Sequence, residues 1–168
     1  ANVLNVLAIG AGIPGKPVNA IPPRAVAHCQ LRFVAGTDVA NIRPAVERHL
    51  RAKGFDRVQV ADPPAANDGG FPATRTEPDN PWVIWAVDSI QRTTNIKPAV
   101  VPQMGGSICN DVFTDILGIP TLWVPHSYAS CSQHAPDEHI LMSVSRNALE
   151  LMTGLYWDLG EPGVPMRA

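Results

Sequence analysis

The alternation of polar and apolar positions near the start of the chain predicts two β-strands. Residues 3–9, VLNVLAI, form an apolar run, and residues 25–34, AVAHCQLRFV, alternate. In an extended chain successive side chains point to opposite faces. One face of the second strand would therefore carry Ala27, Cys29, Leu31 and Phe33, and the other would carry His28, Gln30 and Arg32. This pattern is typical of a half-buried strand with one polar face.

A helical period follows over residues 39–53. Apolar residues recur at i, i+4 and i+8, at Ile42, Val46 and Leu50, as in a helix with one apolar stripe. Asp38 or Thr37 can cap its start, and Gly54 ends it. Pro44 removes one backbone hydrogen bond, which moves the expected start toward Asn41.

The remainder of the chain reads as alternating helices and strands, which predicts an α/β segment. The predicted helices are 81–94, a short one at 110–117 ending at Gly118, and a last one from about Asp137 to Trp157. The last helix would turn Ile140, Val144, Leu151 and Leu155 toward a core. The predicted strands are 56–61, 98–104 and 120–125. Residues 62–80 are rich in turn residues, so we place a linker at 71–80, between one domain at 1–70 and another at 81–168.

Composition narrows the class of protein. The chain has 168 residues, of which 45% are hydrophobic and 17% charged, with a net charge of −2. This is typical of a soluble globular protein, and it favours neither nucleic acid nor an anionic membrane as a partner. No apolar run approaches the length of a membrane span, and no signal peptide is evident. Cys29, Cys109 and Cys131 are widely spaced and odd in number, which favours a reducing compartment such as the cytoplasm.

The densest group of chemically active residues is CSQHAPDEH, Cys131 to His139. One interpretation is a helix entrance, in which Asp137 and Glu138 in the first turn oppose the helix dipole. The other is a metal ligand at His134, since a neutral imidazole on a loop after a strand suits that role. Structural zinc needs four protein ligands, and no second cluster of this density exists to supply them.

Two further segments have both a structural and a functional interpretation. In QMGGSICND, residues 103–111, Gly106 and Ser107 either form a tight turn or present hydrogen-bond donors to an anionic or tetrahedral group. In the segment that holds Asn19 and Arg32, the arginine is either a solvated cation or a clamp for a carboxylate, which its planar guanidinium suits.

Three segments together resemble one family, the dinuclear-zinc exopeptidases and deacylases. This family includes carnosine-type dipeptidases, glutamate carboxypeptidases, acetylornithine deacetylase and succinyl-diaminopimelate desuccinylase. NAIPPRAVAHCQLR resembles its N-[VI]-I-P-x-x-A…R segment, GGSICNDVFTDILGIPTLWVP its GG[ST]…LG-[IV]-P segment, and HAPDEHI its H-x-x-[ND]-E motif. The three occur in the family's order and cover nearly the whole chain.

The resemblance implies a fold and a set of roles. Residues 1–70 would form part of a two-layer α+β lid that makes a homodimer, and residues 81–168 the C-terminal part of an α/β catalytic domain. His134 would bind one of two zinc ions (or cobalt or manganese). Asn19 and Arg32 would hold the substrate's carboxylate, and Gly106 and Ser107 would line the substrate site. The substrate would be a dipeptide or an N-acyl amino acid.

The chain lacks other parts of the family pattern. It contains no H-x-D sequence and no Glu-Glu dipeptide, so the general base and most metal ligands are expected outside it. We therefore expect a segment of a zinc-dependent amidohydrolase that is inactive by itself; whether it binds metal alone is left open. The alternative is a non-catalytic chain whose task is dimerisation or another association.

Overall fold

The structure is a computed structural model that describes residues 2–61, 70–104 and 108–165. It forms two compact units: the described residues up to Thr74 with 108–111, and residues 75–104 with those from Val112 onward. Within these described ranges the elements are two strands and three α-helices with two short helical turns. The fold class is α+β, which confirms the expectation from the sequence.

The first unit contains an antiparallel hairpin. Strand β1, Val3–Ala11, pairs with strand β2, Ala25–Arg32, so that Val3 lies opposite Arg32 and Ala11 opposite Ala25. The register shifts between Val6 and Ala8, which marks a β-bulge at the residue between them. Both strands confirm the prediction, although β1 runs further and β2 ends earlier than expected.

The two faces of the hairpin differ as the alternation predicted. The pairing places Gln30 opposite Asn5 and Cys29 opposite Val6, so polar and apolar side chains lie on different faces. The predicted half-burial is met only in part, because Leu31 and Phe33 are half-buried whereas Ala27 and Cys29 are exposed. In the partner strand Val6 and Ile9 are 56% and 74% exposed. The physical reason is that no other described element packs against this sheet.

Helix α1, Ile42–Ala52, follows a 3-10 turn at Val39–Asn41. Asp38 caps that turn, because its side chain accepts a hydrogen bond from the Asn41 amide at 3.3 Å. Pro44 falls in the first turn of α1, where it costs no intrahelical bond. At the other end Gly54 has φ 80°, the left-handed conformation that ends many helices. The predicted start near Asn41 and the predicted end at Gly54 are confirmed, whereas the predicted cap is not, because Asp38 caps the 3-10 turn and no side chain caps α1 itself.

Helix α2, Pro81–Thr94, has the bounds that the sequence predicted. The Asn80 side chain accepts from the Trp82 amide at 2.9 Å, and proline at the first position is favourable because its missing N–H would be unpaired there anyway. Asn95 closes the helix with φ 57°, and its N–H donates to the Gln91 carbonyl.

Helices α2 and α3, Met142–Asp158, pack together and form the core of the second unit. Ala86, Ile90 and Leu155 are buried at the centre, and Trp85, Val124, Leu151 and Met152 surround them. The helices approach closely at Gly154, where a Cβ atom would overlap the Thr93 side chain. A small residue is therefore required at this crossing.

Three predicted strands are wrong in the described structure. Segments 56–61, 98–104 and 120–125 form no strand, because a strand forms only where a neighbour pairs its backbone and none of the described residues does so. Their apolar side chains remain accessible, and Val101 is 62% exposed. The predicted helix at 110–117 is present chiefly as a π-helical turn at Val112–Ile116, before Gly118 at φ 63°.

The start of the last helix was also predicted wrongly. Helix α3 begins at Met142, not near Asp137. Asp137 has φ 63°, and a residue in the left-handed region cannot continue a right-handed helix. Ile140 consequently lies outside the helix, and it is 56% exposed instead of facing a core. Within the described ranges, no helix is both long enough and apolar enough to cross a membrane.

Candidate functional site

The histidine-rich segment forms a loop between Pro125 and α3 in the second unit. Three backbone hydrogen bonds shape it: Cys131 N–H donates to the Tyr128 carbonyl at 3.1 Å, Ala135 N–H to the Ser132 carbonyl at 2.9 Å, and His139 N–H to the Cys131 carbonyl at 3.1 Å. The ends of the loop are thereby held near each other, as in compact loops that carry functional residues.

Tyr128 and His139 meet where this loop closes. Their rings make an edge-to-face contact, with centroids 5.9 Å apart and planes at 67°. The Tyr128 hydroxyl donates to the His139 carbonyl at 3.3 Å. His139 Nδ1 lies 2.8 Å from the Asp137 carbonyl oxygen. A carbonyl can only accept, so Nδ1 carries the proton. The predicted place of His139 inside the last helix is wrong, because it lies on the loop before α3.

His134 lies at the exposed tip of the loop. Its φ is 62°, and Ser132 and Asp137 have φ 56° and 63°. Non-glycine residues in this region are uncommon and concentrate at functional sites. The His134 N–H donates to Glu138 Oε2 at 3.3 Å, so Glu138 orders the backbone that carries the imidazole.

The helix-entrance interpretation of this segment is not supported. The N-cap of α3 is Leu141, and no side chain caps that helix. Asp137 and Glu138 therefore do not cap it, contrary to that interpretation. The Glu138 carboxylate instead accepts a hydrogen bond from the His134 amide.

The described residues supply few ligands for a metal ion. Within the described ranges no three His, Cys, Asp or Glu side chains come together as metal ligands would. The exposed imidazole of His134 fits one ligand position, since it lies on a loop at the surface. The described residues thus do not form a dinuclear centre by themselves.

In the first unit, Arg32 lies on the polar face of the hairpin. Its Nε is 3.5 Å from Gln30 Oε1, and both side chains are exposed. Arg32 pairs with Val3, at the end of the hairpin away from the segment that joins the strands. Asn19 lies within that joining segment and is exposed. The described structure thus places Arg32 and Asn19 at different ends of the hairpin and shows no contact between them, so their joint contact with a carboxylate stays a prediction.

Gly106 and Ser107 lie outside the described residues. Just after them, Asp111 has a buried Oδ1 that forms no hydrogen bond, directly before the π-helical turn. Buried carboxylate oxygens are normally paired, so Asp111 of the first unit is a candidate functional residue. Tyr128, Glu138 and His139 are candidates in the second unit. Glu138 and His139 lie within the predicted cluster, whereas nothing in the sequence pattern distinguishes Asp111 or Tyr128.

No family model matches the sequence, and no curated protein matches it. Two solved structures do. The M20 family metallo-carboxypeptidase Sso-CP2 from Sulfolobus solfataricus is 24% identical, with a TM-score of 0.66, over 92% of this chain and 35% of that one. The di-peptidase Dug1p from Saccharomyces cerevisiae is 18% identical, with a TM-score of 0.68, over 96% of this chain and 34% of that one.

These likenesses establish a fold. The chain is folded like one part of these metallopeptidases, and it spans about a third of the length of each. A shared fold does not by itself define an activity.

Proposed function

We propose that this chain is a segment of a metal-dependent peptidase or amidohydrolase, made of part of a lid and the C-terminal part of a catalytic domain. The observation that carries the proposal is the fold match, which extends over at least 92% of this chain in two peptidases. The three motifs in the family's order provide independent support, because they come from the sequence.

The exposed surface supports the view that further polypeptide completes the fold. The accessible surface is 13454 Å² for a mass of 18.0 kDa. Two compact units of half that mass would together expose only roughly 10,000 Å². Many large apolar side chains are exposed, among them Val101 and Met104 of segment 98–104 and Leu122 and Trp123 of segment 120–125. Extended apolar segments of this kind are suited to pairing within a larger sheet.

The roles proposed for individual residues come from the resemblance of the three motifs to the family. His134 supplies one ligand to a zinc, cobalt or manganese ion. Arg32 and Asn19 bind the carboxylate of a dipeptide or N-acyl amino acid. Gly106 and Ser107 line the substrate site. A bound divalent ion would polarise the scissile carbonyl, and the residues of this chain hold and orient the substrate.

Association is the second candidate function, and the hairpin favours it. Both of its strands have an unpaired edge within the described sheet, and its apolar face is exposed. Such edges pair readily with another chain. A homodimer formed through this unit is compatible with catalysis, and it would be the main task of a chain that is not catalytic.

The test compares the full-length protein with its His134→Ala variant for metal content and for hydrolysis of a dipeptide panel. We expect the variant to lose one metal equivalent and most activity. His49→Ala is the matched control, because His49 is exposed in α1 of the other unit. Full metal content and full activity in His134→Ala would contradict the proposal. A native-mass measurement of the 168-residue chain separately tests dimerisation.

A further inference from the structure

The loop that carries His134 is held almost entirely by contacts within itself. Every residue from 133 to 141 is exposed, so burial against the core does not order it. Three non-glycine residues with positive φ nevertheless occur in it. Such conformations are unfavourable and persist only where the surroundings impose them. Something in the loop must therefore stabilise it.

We infer that Tyr128 and His139 form a clasp that positions His134. The clasp consists of their edge-to-face ring contact, the Tyr128 hydroxyl on the His139 carbonyl, and His139 Nδ1–H on the Asp137 carbonyl. These are positioning residues, since their described contacts are to each other and to the loop backbone. The functional consequence of the clasp rests on the proposed role of His134.

The contacts account for the conformation of both sides of the loop. The bond from His139 to the Asp137 carbonyl holds the backbone where Asp137 enters the left-handed region. The backbone bond from His139 to the Cys131 carbonyl joins the two sides. Glu138, which directly precedes His139, accepts a hydrogen bond from the His134 amide. Without the clasp, the backbone that carries Glu138 would no longer be held in place, and the hydrogen bond from the His134 amide to Glu138 would be weakened.

The consequence for the site is entropic. When the clasp holds the loop closed, the backbone at His134 has little conformational freedom. Binding of a ligand to the imidazole then costs little conformational entropy. Residues that orient a metal-binding histidine typically change metal affinity about 10–100-fold when they are replaced. The clasp should therefore affect metal affinity without contributing a ligand.

The experiment uses the full-length protein and two measurements. Hydrogen exchange reports on the loop amides of Cys131, Ala135 and His139, and Co²⁺ titration followed by absorption reports on affinity and ligand geometry. For Tyr128→Ala and His139→Ala we expect at least tenfold faster exchange in the loop and about 10–100-fold weaker Co²⁺ binding. His139→Asn keeps a donor for the Asp137 carbonyl and should restore much of both. His49→Ala should change neither.

The outcomes separate this inference from the proposed function. Wild-type exchange and Co²⁺ affinity in both alanine variants would overturn the clasp, even if His134→Ala loses metal. Unchanged metal content in His134→Ala would overturn the proposed function. In that case the hydrogen-exchange rates of Tyr128→Ala and His139→Ala still test whether the clasp exists. Should the alanine variants not fold, Tyr128→Phe, which loses the hydroxyl bond, and His139→Asn, which loses the ring contact, are each compared with the wild type, and wild-type exchange in both overturns the clasp.

Discussion

The guanidinium of Arg92 in α2 lies 2.7 Å from the carboxylate of Asp158, the last residue of α3. The ion pair joins the C-terminal ends of the two helices that form the core of the second unit. The side chain of Ser89 and then that of Arg92 lower the pKa of Asp158. Ser89 Oγ is buried without a hydrogen bond of ordinary geometry, so we regard the Arg92 contact as the better-defined cause.

The first prediction concerns pH. The folded-state pKa of Asp158 is below its ordinary value of 3.8, so its contribution to stability is complete above that pH. The contribution is lost as the pH falls through the lowered pKa. Asp158→Asn should therefore lower the melting temperature near neutral pH, and this difference should shrink below pH 3.8. Melting curves from pH 2 to 7 test this, with Glu161→Gln as control; a difference independent of pH would contradict it.

The second prediction concerns the contact between α2 and α3. In Gly154→Ala the new methyl group would overlap the Thr93 side chain, and overpacking of this kind costs about 1–3 kcal/mol of unfolding free energy. Urea unfolding measures the loss. Gly160→Ala is the control, since its Cβ would lie 3.4 Å from the Trp157 carbonyl, an ordinary contact. Adding Thr93→Ala to Gly154→Ala should recover part of the loss; equal stability of both glycine variants would refute the crossing.

The third prediction concerns recognition by Arg32. In the full-length enzyme, Arg32→Lys keeps the charge and loses the planar fork. Loss of one charge-assisted hydrogen bond costs about 1.5–3 kcal/mol, or roughly one to two decades in kcat/KM. Stability should stay within about 0.5 kcal/mol, because Arg32 is exposed. Steady-state kinetics on carboxylate-bearing substrates test this, with Arg24→Lys as control, and an unchanged kcat/KM would exclude the role.

The fourth prediction is that the 168-residue chain alone hydrolyses no dipeptide. One imidazole ligand cannot organise a two-metal centre, and the described residues bring no three ligands together. The measurement is hydrolysis of a dipeptide panel by the pure chain with added zinc. Turnover that a chelator abolishes would disprove this expectation.

Much of the secondary structure was predictable because local patterns determine it. The alternation in residues 25–34 defines β2, and the proline and asparagine at the start of α2 mark its first turn. The spacing of Ile42, Val46 and Leu50 defines α1 in the same way. These features depend on side-chain period and on caps, which involve residues a few positions apart.

The candidate site was predictable in part. The polar face that carries Arg32 follows from the alternation in β2, whereas metal binding by His134 is a hypothesis that rests on residue type and stays a prediction. The clasp of Tyr128 and His139 does not, because it depends on left-handed residues at Ser132, His134 and Asp137 that no hydrophobic period encodes. The same conformations delay the start of α3 to Met142.

Only the tertiary structure decided which apolar segments become strands and which faces are covered. Segments 98–104 and 120–125 read as buried strands, yet they remain unpaired in the described chain. A helix completes its hydrogen bonds within its own segment, so a local pattern suffices to predict it. A strand completes them only with a neighbour, and burial requires a second surface. By itself the sequence determined the helices, whose hydrogen bonds lie within one segment, and the tertiary structure decided the strands and buried faces, which need a second segment.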